Sequence, residues 1–333
     1  MKKLEIGRSG INASTLVLGT WVIGGDSWGG TDESDSLEAI AAVLDSGINF
    51  IDTAPIYGCG VSEEVVGKAI AGKRDQVVLA TKVGLRWDCE DGDFSFEGDD
   101  GTRVFKNLSA DSITYEVEAS LKRLKTDFID LLQTHWPDST TEVDETMGAL
   151  LKLKESGKIR AIGACNLTPA LFEAYQAAGG IDSMQEMYSM VDRGLEADLF
   201  PMAHAAGASV LAYSPMAMGL LTGKVGPDRT FGKDDLRSWS PRFTVENRQK
   251  VAGLLEKFSP YTEKYGVTTA QLVLAWTLAQ LPITHVLCGI RNRAQAEENL
   301  RGGELVLESE DVAAMNAILD AEAIKLPHPY GGE

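Results

Sequence analysis

Ile48-Asn49-Phe50-Ile51-Asp52-Thr53-Ala54-Pro55-Ile56-Tyr57-Gly58 is the stretch on which the reading of the fold turns. Its apolar start predicts a short buried strand ending at Asp52, after which Pro55 and Gly58 halt regular structure. A helix is predicted from Ser62 to Ala71, with Ser62 as its N-cap and Glu63 and Glu64 in the first turn. An Asp and a Tyr therefore stand on the loop side of a strand that feeds a helix. In parallel α/β folds that side holds ligands and chemistry. The plainer alternative is a buried Asp fixing a turn beside a packed Tyr.

The same unit, a short apolar strand followed by a loop and an amphipathic helix, recurs along the chain. A small hairpin comes first, with Leu4-Glu5-Ile6 turning through Gly7-Arg8-Ser9-Gly10 into Ile11. Strand one is 16–18, with its helix over 37–44; strand two ends at Asp52. Strand three is 77–82, followed by a helix after Ser109, and strand four is 129–132, followed by a helix over 143–155. Strand five is 160–164, leading to a helix with Pro169 in its first turn. Strand six centres on 183–185 with a helix near 196–206, and strand seven is 209–213 with a helix over 269–279. Strand eight is 284–288, with a helix near 294–300. Eight such units in one α/β domain spanning 1–333 predict a closed (β/α)8 TIM barrel rather than a doubly wound sheet. No Gly-x-Gly-x-x-Gly follows strand one, against a Rossmann domain. Two long loops interrupt the pattern: the acidic, Gly-rich 89–106 after strand three, and 214–243 after strand seven, which holds Lys224, Arg229, Lys233, Arg237 and Arg242.

Composition narrows the partners. The 333 residues are 44% hydrophobic and 24% charged, ordinary for a soluble globular protein. No apolar run approaches the roughly 20 residues of a membrane span, and no signal-peptide core follows Met1. A net charge of -18 argues against nucleic acid or an anionic membrane. Cys59, Cys89, Cys165 and Cys288 lack metal-ligand spacing, so reduced thiols in a cytoplasm are expected. A small molecule is the expected partner, and the sequence leaves a homo-oligomer open, since exposed faces are not told from buried ones by residue types alone.

Asp52, Tyr57, Lys82 and His135 end consecutive or near-consecutive strands, so in a barrel they converge on one mouth. An ammonium beside a phenol stabilises tyrosinate and lowers its pKa, while a carboxylate orients the ammonium. A neutral His can hold a carbonyl oxygen beside the Tyr hydroxyl. A lone His after a strand is usually structural. A Lys ending an apolar strand is rarer, because burying an unpaired ammonium is costly.

Gly19-Thr20-Trp21, Asp52-Thr53-Ala54-x-x-Tyr57-Gly58, Thr81-Lys82, His135-Trp136-Pro137-Asp138 and Gly157-Lys158-Ile159-Arg160-Ala161-Ile162-Gly163 occur in that order. Tyr213-Ser214-Pro215…Gly219-Leu220-Leu221-Thr222-Gly223-Lys224 and Gly289-x-Arg291…Gln295-x-x-Glu298-Asn299 follow. Over nearly its whole length the chain resembles the aldo-keto reductase superfamily, in particular the bacterial branch acting on polyol-derived and sugar carbonyls. The resemblance implies that Tyr57 is the proton donor, tuned by Lys82 with Asp52 paired to it, and that His135 orients the carbonyl. It implies NADP as cofactor. Asn166 and Gln185 would hold the nicotinamide carboxamide, with Tyr213 stacked on the ring and Trp21 nearby. Ser214, Leu221, Gly223 and Lys224 would lie against the pyrophosphate, with Arg237 in the surrounding cation cluster. Arg291, next to Gly289, would meet a 2′-phosphate, with Gln295, Glu298 and Asn299 around the adenosine. Cys165 stands where the family often has Ser, and a thiol is the weaker donor.

The substrate side is expected to use Trp21, Trp28, Trp87, His135 and Trp136, with Asp26, Arg86, Asp88 and Asp138 as possible partners of hydroxyls. The tail after Leu326 is expected to close little of the pocket. The activity implied is reversible hydride transfer to a sugar-derived or small polar carbonyl. The alternative is an NADP-binding redox sensor resembling potassium-channel β-subunits, disfavoured by the lack of an N-terminal gating extension. A metal-dependent lyase or isomerase is disfavoured because His135, His204, His285 and His328 lack ligand spacing.

Overall fold

The computed structural model describes residues 1–25, 28–98 and 100–330. A hairpin of β1 (Lys3–Glu5) and β2 (Asn12–Ser14) precedes the first barrel strand, β3 (Leu16–Gly19). Then come β4 (Phe50–Asp52) and β5 (Val78–Val83). After them β6 (Leu85–Arg86), β7 (Asp93–Glu97) and β8 (Arg103–Lys106) form a small antiparallel sheet. The barrel continues with β9 (Ile129–Thr134), β10 (Ile159–Cys165), β11 (Ser183–Met187), β12 (Ser209–Tyr213) and β13 (Ile283–Gly289). These strands run parallel, and β13 pairs with β3 to close the ring. The expected (β/α)8 barrel and N-terminal hairpin are therefore present.

The barrel interior explains where the chemistry sits. Val17, Phe50, Ala80, Leu131, Ala161, Leu211 and Leu287 form one apolar plug, sealed by Ile6, Ile11 and Ala13 of the hairpin. Side chains alternate along a strand, so two residues further on each chain faces inward again. Applied to Phe50, Ala80, Leu131, Ala161 and Leu211, that step reaches Asp52, Lys82, Gln133, Gly163 and Tyr213. A polar layer thus lies directly above the plug. The larger apolar cluster lies outside the ring, between strands and helices. Phe50, wholly buried, contributes roughly 1.5–3 kcal/mol on its own.

Several local expectations are corrected. The first helix runs Glu33–Asp45, a turn longer than 37–44, because Asp32 caps it through Oδ1 to the amides of Ser34 (2.8 Å) and Asp35 (3.1 Å). Its first turn is polar and leaves no apolar pattern. The next helix is Val61–Ala69, and its N-cap is Gly60 at φ 102°, not Ser62. The Ser62 hydroxyl turns inward instead, 2.8 Å from Thr20 Oγ1 and 2.9 Å from Thr53 Oγ1, tying the loops after β3 and β4 together. The 89–106 segment forms β7 and β8 rather than a plain loop. Helices at Val245–Glu256, Ser259–Tyr265 and Ser309–Glu322 lie outside the eight-unit pattern. No helix among the described residues is long and apolar enough to cross a membrane.

Candidate active site

Asp52 is the hub of the polar layer. Its Oδ1 accepts from Lys82 Nζ at 2.5 Å, and its Oδ2 accepts from Gln133 Nε2 at 2.9 Å and Gln185 Nε2 at 2.8 Å. Lys82 Nζ also donates to the Thr53 carbonyl (3.0 Å) and to Tyr57 Oη (3.3 Å). All three ammonium protons are thereby allocated. The Tyr57 oxygen accepts one of them, so its own proton is available to the cleft. Both ions are fully buried, and burial of this kind is tolerable only because all three ammonium protons and both carboxylate oxygens have partners. Close packing holds Tyr57 in place: a Cβ on Gly24 would lie 2.6 Å from the Tyr57 backbone carbon.

The electrostatics refine the expected roles. Burial pushes the Tyr57 hydroxyl up to about 12, more than the Lys82 charge draws it down, so the expected net lowering is not found. Tyr57 therefore keeps its proton at neutral pH. Burial disfavours the Lys82 charge, yet Asp52 and Tyr57 outweigh it and hold the ammonium above its usual value. His135, 5.8 Å from the Tyr57 ring and edge-on to it, is held well below the ordinary imidazole range by burial and by Lys82. It is neutral and has one ring N–H to donate. The Cys165 thiol is pushed well above its normal value by burial and stays protonated.

Asn166 and Tyr213 stand beside this group. Asn166 adopts a left-handed turn at φ 58°; its Oδ1 accepts from the Tyr213 hydroxyl (2.8 Å) and its Nδ2 donates to the His135 carbonyl (2.9 Å). Further out, the loops after β3, β12 and β13 meet at Trp28, whose backbone bridges to Asp235. Arg237 lies 5.3 Å from the Trp28 ring and clamps Asp235 at 2.8 and 2.5 Å. Arg291 lies 5.5 Å from the same ring and donates to the Trp28 carbonyl at 3.1 Å. Burial and the Arg237 charge hold Arg291 below the usual arginine value, only partly countered by Asp235. This guanidinium is poorly compensated, which suits an incoming anion. Trp28 Nε1 is buried without a hydrogen-bond partner among the described residues.

The expected cofactor contacts divide. Gln295 Oε1 accepts from the Arg291 amide (2.8 Å), Asn299 is buried, and Lys224 pairs with Glu298 (2.8 Å). Ser214 opens the loop after β12 at φ 53°, Gly223 faces Thr269, and Gly289 ends β13. Leu221 is fully buried, and its N–H is bonded to the Met216 carbonyl at 3.1 Å. Arg242 is not part of a cofactor-facing cation cluster. It is buried, bidentate on Asp192 (2.6 and 2.8 Å), and ties down the Pro327 carbonyl at 2.9 Å.

On the substrate side, Trp21 contacts Trp28 (5.1 Å), Tyr57 (6.4 Å) and Tyr330 (6.2 Å). The tail does reach the mouth, correcting the expectation: Ser240 Oγ holds the Pro329 carbonyl at 2.6 Å, which sets Tyr330 against Trp21. Among the described residues these ring contacts do not extend to Trp87, which lies under Arg123 (5.9 Å), or to Trp136, which is half-buried. Asp138 is removed from the substrate list. Its two oxygens are committed to the Leu108 and Thr140 amides and the Thr140 and Thr141 hydroxyls. Arg86 and Asp88 pair with each other at 2.6 Å, and Asp26 lies outside the described residues. Tyr330 and Gln133 went unnoticed in the sequence; only the period-two step from Leu131 could have flagged Gln133.

A parallel barrel with a buried Asp–Lys pair, a protonated Tyr and a neutral His at one mouth defines a carbonyl-handling oxidoreductase site. Residues 15–320 match the model of the Aldo/keto reductase family, and the chain belongs to that family. It is 39% identical over 323 residues to the aldo-keto reductase YhdN of Bacillus subtilis (strain 168), covering 96% of this chain and 94% of the relative. It is likewise 39% identical over 327 residues to the NADH-specific methylglyoxal reductase of Escherichia coli (strain K12), covering 96% and 99%. The solved glycerol dehydrogenase AKR11B4 from Gluconobacter oxydans superposes with a TM-score of 0.87 at 37% identity, covering 98% of each chain.

Proposed function

We propose that this chain is an NADP-dependent, cytoplasmic reductase of sugar-derived or small polar aldehydes and ketones, working reversibly, with Tyr57 as proton donor. The proton allocation around Lys82 carries the reading. Lys82 fills one lone pair of the Tyr57 oxygen and leaves the hydroxyl proton directed at the cleft. The residues present also fit a nicotinamide dinucleotide. Asn166 retains one amide proton and Gln185 retains Oε1, a donor and an acceptor that complement a primary carboxamide. When bound, the cofactor supplies the hydride.

The protein's own part follows from the geometry. Neutral His135 donates to the substrate carbonyl oxygen and polarises it. As negative charge grows on that oxygen, Tyr57 gives up its proton. This is downhill although burial holds the hydroxyl near 12, because an alkoxide is a stronger base than a phenolate. The phenolate left behind is stabilised by Lys82, which Asp52 holds in place. Trp21 and Tyr330 shield the reacting carbon from bulk water.

For the cofactor, the undercompensated Arg291 supports NADP, since a planar fork suits a phosphate dianion; the NADH-specific relative makes the comparison with NADH essential. For the substrate, the reading draws on the small polar compounds in the relatives' names, glycerol and methylglyoxal, and on the aromatic edge that Trp21 and Tyr330 give the mouth. The test is a panel of aldoses, dehydro-sugars, glyceraldehyde and methylglyoxal with NADPH and with NADH. Turnover with several small polar carbonyls, faster with NADPH, is expected. Cofactor binding without oxidation above background for any of them would replace the enzyme with the redox-sensor alternative.

A further inference from the structure

Gln133 has no role in the reaction as derived so far, yet it is fully buried at the centre of the polar layer. The Asp52 carboxylate can only accept hydrogen bonds, so Gln133 and Gln185 must both turn their NH2 groups toward it (2.9 and 2.8 Å). Gln133 Oε1 is then left facing Gln185 and accepts the second proton of its Nε2 at 3.1 Å. Both amide protons of Gln185 are consumed inside the barrel. Only Oε1 of Gln185 remains for a ligand.

The neighbouring strand makes room for this arrangement. Gly163 is the register partner of Gln133, and a Cβ there would lie 2.9 Å from Gln133 Cγ and 2.6 Å from Ser183 Oγ. Glycine in a strand interior costs stability and usually marks a close approach. Here the approaching groups are the Ser183 hydroxyl and the Gln133 side chain, from the strands on either side.

We propose that Gln133 is a positioning residue that locks Gln185 onto Asp52, so that Gln185 meets the nicotinamide carboxamide as a hydrogen-bond acceptor only. This rests on the nicotinamide-binding reading above. It ties the cofactor's amide and the counter-ion of Lys82 into one network.

The test uses binding as its readout, by quenching of intrinsic tryptophan fluorescence. NADP is compared with its 3-acetylpyridine analogue, in which a methyl group replaces the carboxamide NH2. An acceptor-only Gln185 loses its hydrogen bond to the analogue, and wild type is expected to bind it roughly 3- to 10-fold more weakly. Gln133→Met keeps the volume and removes both hydrogen bonds. Gln185 then stays anchored to Asp52 by one amide proton while the other is released as a donor for the analogue's ketone oxygen, and the preference is expected to fall below about twofold for a loss of this size. Gly163→Ala, which presses on Gln133 and on Ser183 without altering the chemistry of either, is expected to act in the same direction and serves should Gln133→Met fail to fold. Full discrimination retained in either folded variant overturns the proposal. A wild type that binds neither dinucleotide overturns the nicotinamide reading itself, and this inference with it.

Discussion

Replacing Lys82 by Met tests the buried acid–base pair at its weakest point. The side chains of Lys82 and Asp52 are 1% and 2% exposed, so solvent cannot take over when one partner is removed. Met fills most of the volume of Lys, and the dominant effect is an orphaned carboxylate. Breaking a buried pair in this way costs about 3–5 kcal/mol. Gln133 and Gln185 still donate to Asp52, which puts the loss near the lower end, about 3 kcal/mol. At roughly 2 °C per kcal/mol in a chain of this size, the unfolding midpoint should fall by about 6 °C. Asp52→Asn in the same background removes the orphaned charge, and the double variant should recover most of the loss. Thermal unfolding followed by circular dichroism at pH 7 measures both. A single variant within 1 °C of wild type, or a double variant less stable than the single, would refute the buried-pair account.

Tyr57→Phe removes the proton but none of the groups proposed to hold the nicotinamide, so turnover should drop by about 10²- to 10⁴-fold with cofactor affinity unchanged; retained turnover removes Tyr57 from the donor role. For Arg291→Ala the affinity for NADPH should fall about 10- to 100-fold, the worth of a charge-assisted contact, while NADH binding changes little. Equal losses for both would withdraw the 2′-phosphate assignment. His285 lies buried against Phe50 (5.5 Å), and burial pushes it down to about 4, the carbonyls of Leu4 and Ala13 offsetting this only in part. The unfolded chain binds this proton from pH 6.5 downward and the native state only below about 4, so stability must fall through that window, by about 3 kcal/mol in all. His285→Phe should flatten the midpoint-against-pH curve between those limits, and an unchanged slope would show that other groups set the acid response.

Barrel and tetrad are legible in the sequence for one physical reason: a strand buried on both faces is continuously apolar, so any polar residue interrupting it stands out. Asp52 and Lys82 break such runs, and His135 directly follows one. Gln133 breaks its run too, yet an uncharged amide invites no question about a counter-charge and passes unremarked. Contacts between loops are less visible still. Ser62 looks like a cap, because Ser before two glutamates is the usual capping signal; whether Gly60 turns the chain first depends on backbone geometry that residue types do not encode. The tail's grip on the mouth depends on Ser240 and Arg242 meeting the carbonyls of Pro327 and Pro329 nearly 90 residues on, and a backbone carbonyl carries no sequence signal at all. Residues whose function comes from their own charge are thus readable in advance. Those that act by holding another group, as Gln133 holds Gln185, become readable only once the strands are in register.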